Sequence, residues 1–189
     1  MKRCALLFAA LFMAAPAMGH KGDGRYTDKG ASTAHNRFEL DLGLVDLERS
    51  GRSEYRFSDL PSDEFTFGLR LTAPHGERLR HLPKATVRMT LLNERDEVVF
   101  DVSGELINWV RSEGANEWFV YLRGIQKEVP VAQGKTRLER ISFGPDGGWG
   151  TYVSPRANGT YRLAFETVKA DVSMSKFVVR LVGIGGGWK

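Results

Sequence analysis

The chain has 189 residues, which suits one domain with an appendage better than several domains. Hydrophobic residues make up 42% and charged residues 26%, so the composition excludes a collagen, a coiled coil, a disordered chain and a multi-span membrane protein. The single cysteine excludes a disulfide scaffold and a structural zinc cluster of cysteines. The 21 glycines and the 11% of aromatic residues favour strands and turns over helices.

Residues 1–19 have the pattern of a secretory signal peptide: a positive start, an apolar run over 5–15, then a proline and small residues. The apolar run is too short to cross a bilayer, which takes about 20 residues. Cleavage is possible after Ala17 or after Gly19, and we favour Gly19 because it leaves a spacer behind the apolar run. We therefore expect a periplasmic or secreted protein whose mature chain begins at His20 and contains no transmembrane segment.

Removal of the leader changes the charge of the working protein. The loss of Lys2 and Arg3 lowers the formal net charge of +4 by two. Because no dense basic stripe remains, we expect no nucleic-acid partner.

Residues 20–36 are polar and rich in glycine, and they show no apolar period. This composition predicts a flexible N-terminal arm. The folded domain is then expected to cover 37–189.

From residue 37 onward apolar and polar residues alternate, as in strands with one face on a core and one face in water. We predict an all-β fold, an antiparallel β-sandwich of jelly-roll or C2/Ig-like type, with eight to nine strands and at most one short helix. The segment 104–112 fits either that helix or a strand. The alternating segments are 38–44, 55–57, 65–71, 87–91, 98–102, 118–122, 161–165 and 177–181, and a further strand is expected around 138–143.

One predicted strand is apolar on both faces, because Phe119 and Tyr121 are out of phase with Trp118, Val120 and Leu122. Two interpretations stay open. The segment 104–112 covers the outer face, or that face is an interface for a partner or a second copy. The sequence therefore leaves a monomer and a homodimer as alternatives.

The long connection 126–158 is the predicted binding region, because long loops on a rigid β scaffold commonly carry function. Its glycine-rich part presents Trp149 and Tyr152, whose side chains could stack on a sugar ring or anchor a protein. Asp146 and Arg156 would supply polar contacts at the rim. The alternative is that Trp149 folds back and caps the core.

A second hypothesis concerns copper. After cleavage at Gly19, His20 offers an α-amine and an imidazole together, and such nitrogen ligands suit copper(II) in tetragonal geometry. His35, His75 and His81 are the remaining histidines that could complete the site. The other interpretation is that His20 is simply the first residue of the arm.

The sequence does not predict an enzyme. It contains no Gly-x-Ser-x-Gly elbow, no P-loop and no Gly-x-Gly-x-x-Gly motif, and the mature chain has no cysteine nucleophile.

The stretch Gly-Thr-Tyr-Arg-Leu-Ala-Phe-Glu at 159–166, followed by the alternating strand 177–182, is similar to the closing strands of many exported sandwiches. These include C2-like, carbohydrate-binding and pre-peptidase C-terminal domains. The chain most resembles small proteobacterial periplasmic proteins with a C2-like or jelly-roll sandwich. The resemblance covers about 38–182 and implies the fold, but it implies no catalytic residue.

The sequence thus predicts a non-catalytic binding or interaction module of the bacterial periplasm, without a cofactor, that engages a protein or a glycan through its long loops. An immunity or inhibitor protein belongs to this class. The alternatives are a periplasmic copper-binding protein that uses His20, and a structural envelope protein that self-associates.

Overall fold

A computed structural model describes residues 20–32, 35–74, 83–108, 110–113, 117–121, 125–131, 135–141 and 151–185. These residues form two 3₁₀ turns, Leu106–Asn108 and Val172–Met174, and a set of strands joined by loops and turns. The strands are β1 (Lys21–Gly22), β2 (Arg25–Ser32), β3 (His35–Leu44), β4 (Gly51–Ser58), β5 (Phe65–Thr72), β6 (Thr86–Asn93), β7 (Val98–Glu105), β8 (Val110–Glu113), β9 (Glu117–Tyr121), β10 (Ile125–Val131), β11 (Lys135–Ile141), β12 (Tyr152–Val153), β13 (Thr160–Lys169) and β14 (Val178–Gly185).

The strands form two antiparallel sheets, and the predicted all-β sandwich is confirmed. The five-stranded sheet has the order β1-β4-β13-β6-β7. The seven-stranded sheet has the order β2-β3-β14-β5-β9-β8, with β12 paired to one end of β5. Strands β10 and β11 pair with each other as a hairpin. The described residues contain fourteen strand segments rather than eight or nine, because short and polar strands add to the alternating ones.

The core lies between the sheets and follows the predicted alternation. Phe65, Phe67, Leu69 and Leu71 point inward from β5 and are at most 1% exposed. They meet the inward residues of β13 and β6, of which Leu163 is also fully buried. Burial of each side chain of this size contributes about 1.5–3 kcal/mol to folding.

The predicted flexible arm is corrected by the structure, since residues 20–36 contain β1, β2 and the start of β3. Strand β1 pairs with β4, and β2 pairs with β3 along most of its length. Apolar periodicity was a poor guide here, because these edge strands are attached mainly through backbone hydrogen bonds. Glycine is required at residue 22, where φ is +104° and a side chain would collide with the backbone of Arg56.

A bulge near the end of β3 corrects the expected orientation of Leu44. The alternation places Leu44 on the inner face with Phe38 and Leu40, yet Leu44 is 66% exposed. Gly43 adopts φ +107°, and its N–H donates to the Asp41 carboxylate at 3.0 Å. The pairing of β3 with β14 shifts by one residue at this point. A one-residue shift moves every later side chain to the other face of the sheet.

The outer face of the seven-stranded sheet holds a second, smaller apolar cluster. Phe119 and Tyr121 are 7% and 6% exposed, and their rings stack with centroids 5.4 Å apart. Val182 of β14 joins them. The β8 part of the segment 104–112 pairs edge to edge with β9. The interpretation that this segment covers the outer face stays a prediction. Both rings are buried within the single chain, which leaves little of their surface for contact with a second copy.

Gly68 tests the packing of this cluster. A Cβ atom at Gly68 would lie 2.6 Å from the Phe119 ring and 2.5 Å from the Val120 carbonyl oxygen. We expect Gly68→Ala to lower the free energy of unfolding by about 1–3 kcal/mol, as overpacking does elsewhere. The measurement is urea denaturation followed by tryptophan fluorescence.

The matched control is Gly51→Ala, because a Cβ atom there meets nothing within 4 Å. Its unfolding midpoint should stay within experimental error of the wild type. Equal stability of the two variants would show that Phe119 does not rest on Gly68.

Candidate functional site

The strands bring the connecting loops together at two ends of the sandwich. The turns 59–64, 93–97 and 154–159 lie where β4, β6 and β13 meet, since Ser58 and Asn93 flank the start of β13. We call this the turn end. The loops 45–50 and 170–177 lie at the opposite end of the same strands, which we call the groove end.

The predicted binding residues fall at the turn end where they are described. Arg156 lies in a tight turn, where its backbone N–H donates to the Tyr161 hydroxyl at 2.8 Å. Its side chain is 58% exposed, with a guanidinium nitrogen 3.9 Å from a Glu94 carboxylate oxygen. Tyr152 belongs to β12 and its backbone pairs with Thr66. Asp146 and Trp149 lie outside the described residues.

A buried threonine fixes the point where the glycine-rich loop rejoins the sheet. The Thr151 hydroxyl donates to the Phe67 carbonyl at 2.6 Å and lies 2.9 Å from the Thr66 hydroxyl. The Phe67 N–H donates to the Thr151 carbonyl at 3.1 Å. Both threonines are fully buried. Sequence reasoning missed this anchor, because a single threonine after a run of glycines carries no distinctive pattern.

An open groove of about 560 Å³, lined by both apolar and charged residues, occupies the groove end. The exposed side chains of Leu44 and Val178, which are 66% and 49% exposed, line its mouth. Met174 and Phe177 lie deeper, and Glu48 is among the polar residues that line it. Aliphatic walls with charges beside them suit an apolar side chain from another molecule. Sequence reasoning missed this groove because it depends on the bulge at Gly43.

Asp171 holds the two loops of the groove together. Its N–H donates to the Leu47 carbonyl at 2.8 Å. Its carboxylate accepts the Lys84 N–H at 2.7 Å and caps the 3₁₀ turn by accepting the Ser173 N–H at 3.0 Å. Burial raises the pKa of this carboxyl, but the hydrogen bonds from Ser173 and Lys84 outweigh it, so the pKa lies below its ordinary value.

A shallow, charged groove of about 270 Å³ lies on the outer face of the five-stranded sheet, around Ala164. Its arginines are paired with carboxylates. Arg88 binds Asp101 through two bonds of 2.9 and 2.6 Å, and Arg162 lies 2.7 Å from Asp96. Since these charges are neutralised within the chain, this surface shows no obvious ligand site.

Two of the four histidines that were candidate copper ligands, His20 and His35, lie in the described part of the chain. His20 stacks on Tyr26, with ring centroids 6.1 Å apart. Tyr26 pairs with Leu40 of β3. His35 precedes Leu40 by five residues, which corresponds to a distance of about 17 Å along the strand. His75 and His81 lie outside the described residues. Within the described part of the chain, no group of three or more His, Cys, Asp or Glu side chains is arranged to hold a metal ion.

No protein-family model matches the chain, and no curated protein matches it in sequence. Among the described residues, no helix is long and apolar enough to cross a membrane. The functional argument therefore rests on the surfaces described above.

The lowered pKa of Asp171 makes the groove end sensitive to acid. A carboxyl whose pKa is lowered by folding stabilises the fold above its unfolded pKa of about 3.9, and this stability is lost as the pH falls through the folded value. We expect Asp171→Asn to lower the free energy of unfolding at pH 7 by about 1 kcal/mol, because hydrogen bonds to a neutral amide oxygen are weaker than those to a carboxylate. The measurement is urea denaturation at pH values from 7 to 2.5.

The difference between Asp171→Asn and the wild type should shrink below pH 3.9, because the wild-type carboxyl then becomes protonated too. Glu48→Gln, in the same groove, is the control and should follow the wild type throughout. A difference that stays constant over the whole range would assign the loss to packing instead of charge.

Proposed function

We propose that the chain is an exported, non-catalytic binding module of the bacterial periplasm that engages a protein partner. The signal-peptide pattern of residues 1–19 supports export. An immunity or inhibitor protein, which blocks an envelope-targeted toxin by covering it, is the form of this function that best suits a small exported sandwich.

The observation that carries the proposal is the groove between the loops 45–50 and 170–177. Leu44 and Val178 both line this groove and expose aliphatic surface in it. Contiguous apolar surface beside polar residues is typical of protein–protein contact sites. The occupant we propose is a loop or extended segment of the partner that inserts an apolar side chain.

The same observation favours a protein over a glycan. Sugar rings are bound mainly by stacking on flat aromatic side chains. The large apolar side chains that the described residues expose are all aliphatic: Leu44, Val98, Ile107, Val168, Val172 and Val178.

The connection 126–158, which the structure shows to contain the β10–β11 hairpin and β12, is the second surface in the proposal. Its contact residues are Asp146, Trp149, Tyr152 and Arg156. The buried anchor at Thr151 supports this, because it fixes one end of the glycine-rich loop on β5. A loop held at its base loses less conformational entropy on binding.

Site-specific photo-crosslinking in the periplasm tests the proposal. A photoreactive amino acid at position 44 or 178 is expected to trap one discrete protein adduct. The same amino acid at Val98, which is 46% exposed on β7, is the matched control and should not give it. Absence of an adduct at both groove positions, or an equal adduct at Val98, would contradict the groove as the binding surface.

Purified partner then separates the two surfaces. We expect the double variant Leu44→Ser, Val178→Ser to weaken binding at least about tenfold, since loss of an apolar anchor costs more than about 1 kcal/mol. If instead only the double variant Trp149→Ala, Tyr152→Ala loses binding and still unfolds at the wild-type urea concentration, the loop is the binding surface. Unfolding of that variant would show that its aromatic rings cap the core.

A further inference from the structure

The imidazole of His20 is hydrogen-bonded to the turn that follows it. Its Nε2 lies 3.1 Å from the carbonyl oxygen of Asp23. A carbonyl oxygen only accepts hydrogen bonds, so Nε2 must carry the proton and donate it. In the neutral ring the lone pair then lies on Nδ1. That Nδ1 is out of contact with solvent and has no hydrogen-bond partner.

The ring is also fixed in position. The Asp23 N–H donates to the Arg56 carbonyl at 2.7 Å, and the Asp23 carboxylate accepts the Arg56 N–H at 2.8 Å. These two bonds fasten the turn to β4. On its face, the His20 ring stacks on Tyr26, whose own ring stacks on Phe38 with centroids 5.7 Å apart. His20 therefore does not lie on a free arm.

We propose that cleavage after Gly19 turns His20 into a copper(II) site formed by its new α-amine and its imidazole Nδ1. This inference rests on the export step of the proposed function. Nδ1 is the ring nitrogen nearer the residue's own backbone nitrogen, so the two can close a six-membered chelate ring around one metal ion. Before cleavage the backbone nitrogen is an amide, which is a poor ligand, so processing completes the site.

Copper(II) is the metal that this donor pair favours. Imidazole and amine nitrogens in tetragonal geometry suit copper(II), which also binds most tightly in the series of divalent first-row metals. The hydrogen bond from Nε2 to a backbone carbonyl is the outer contact that commonly fixes a metal-binding imidazole.

Charges of both signs lie near His20. Lys21 is the adjacent base, and its ammonium lies 3.1 Å from the Asp59 carboxylate. The strand register does not bring His35 to this site. The α-amine and Nδ1 of His20 are therefore the two protein ligands that we assign.

The test uses the chain exported through its own leader and purified without a tag. Intact mass gives the first residue. Copper(II) is then titrated against a competing chelator, and electron paramagnetic resonance identifies the coordinating nitrogens. We expect one copper(II) ion per chain, bound by one amine and one imidazole nitrogen.

Three variants and one control assign the ligands. His20→Ala, and a chain with four Gly-Ser residues in front of His20, should each bind at least about 100-fold more weakly, because one donor of the chelate is lost. Asp23→Ala keeps the carbonyl that accepts from Nε2 but removes the carboxylate that fastens the turn to β4, so it should weaken binding by at most about tenfold. His35→Ala is the matched histidine control and should bind as the wild type does.

The proposal is overturned if His20→Ala or the extended chain binds copper(II) as tightly as the wild type, or if zinc(II) binds as tightly as copper(II). A chain that begins at His20 without binding copper(II) removes the metal site but leaves export and the groove intact. A chain that begins at another residue refutes the cleavage on which the site depends. Absence of the photo-crosslinked adduct at the groove would contradict the groove as the binding surface and would leave the copper proposal unaffected.

Discussion

The packing of Phe67 against both sheets is the contact on which the rest of the structure depends. Its ring lies 5.7 Å from Phe57 of β4 and 6.2 Å from Phe100 of β7, so a residue of the seven-stranded sheet touches both halves of the five-stranded sheet. Phe65 meets the same ring edge-on at 5.0 Å. The Phe67 carbonyl oxygen also accepts a hydrogen bond from the Thr151 hydroxyl, which attaches the end of the glycine-rich loop to β5 at this residue. One position thus joins the core, the sheets and the base of the predicted binding loop.

Alternation in the sequence was sufficient to predict the strands that bury one face. Strands β3 to β7, β9, β13 and β14 all overlap segments predicted from their two-residue period, and β11 overlaps the further strand expected around 138–143. It was insufficient for β1 and β2, whose attachment depends on Gly22 and on the Asp23–Arg56 hydrogen bonds. Neither feature produces a periodic pattern in the sequence. The residue type alone also does not distinguish a glycine that allows close backbone contact from one that makes a segment flexible. The prediction of a free arm was wrong for that reason.

The candidate sites were harder to predict than the fold, because each depends on contacts distant in sequence. His20 could be singled out from the leader pattern alone, but the tautomer of its ring depends on the carbonyl of Asp23. The groove requires Leu44 on the outer side of a bulge and Val178 beside it, in strands more than 130 residues apart. Arg156 was predicted at the surface and is exposed, yet its backbone is held by Tyr161 in a way that no local pattern indicated.

The bulge at Gly43 has a consequence for how this surface can evolve. The inward-facing residues before the bulge pack in the core. There, the addition or removal of one methylene group disturbs the packing of the neighbouring side chains. Leu44, just after the bulge, contributes almost nothing to that packing and can be exchanged at little thermodynamic cost. A family built on this scaffold could therefore diversify its recognition surface at the ends of β3 and β14 while its interior stays constant. Specificity and foldability would then be under separate selection within one strand.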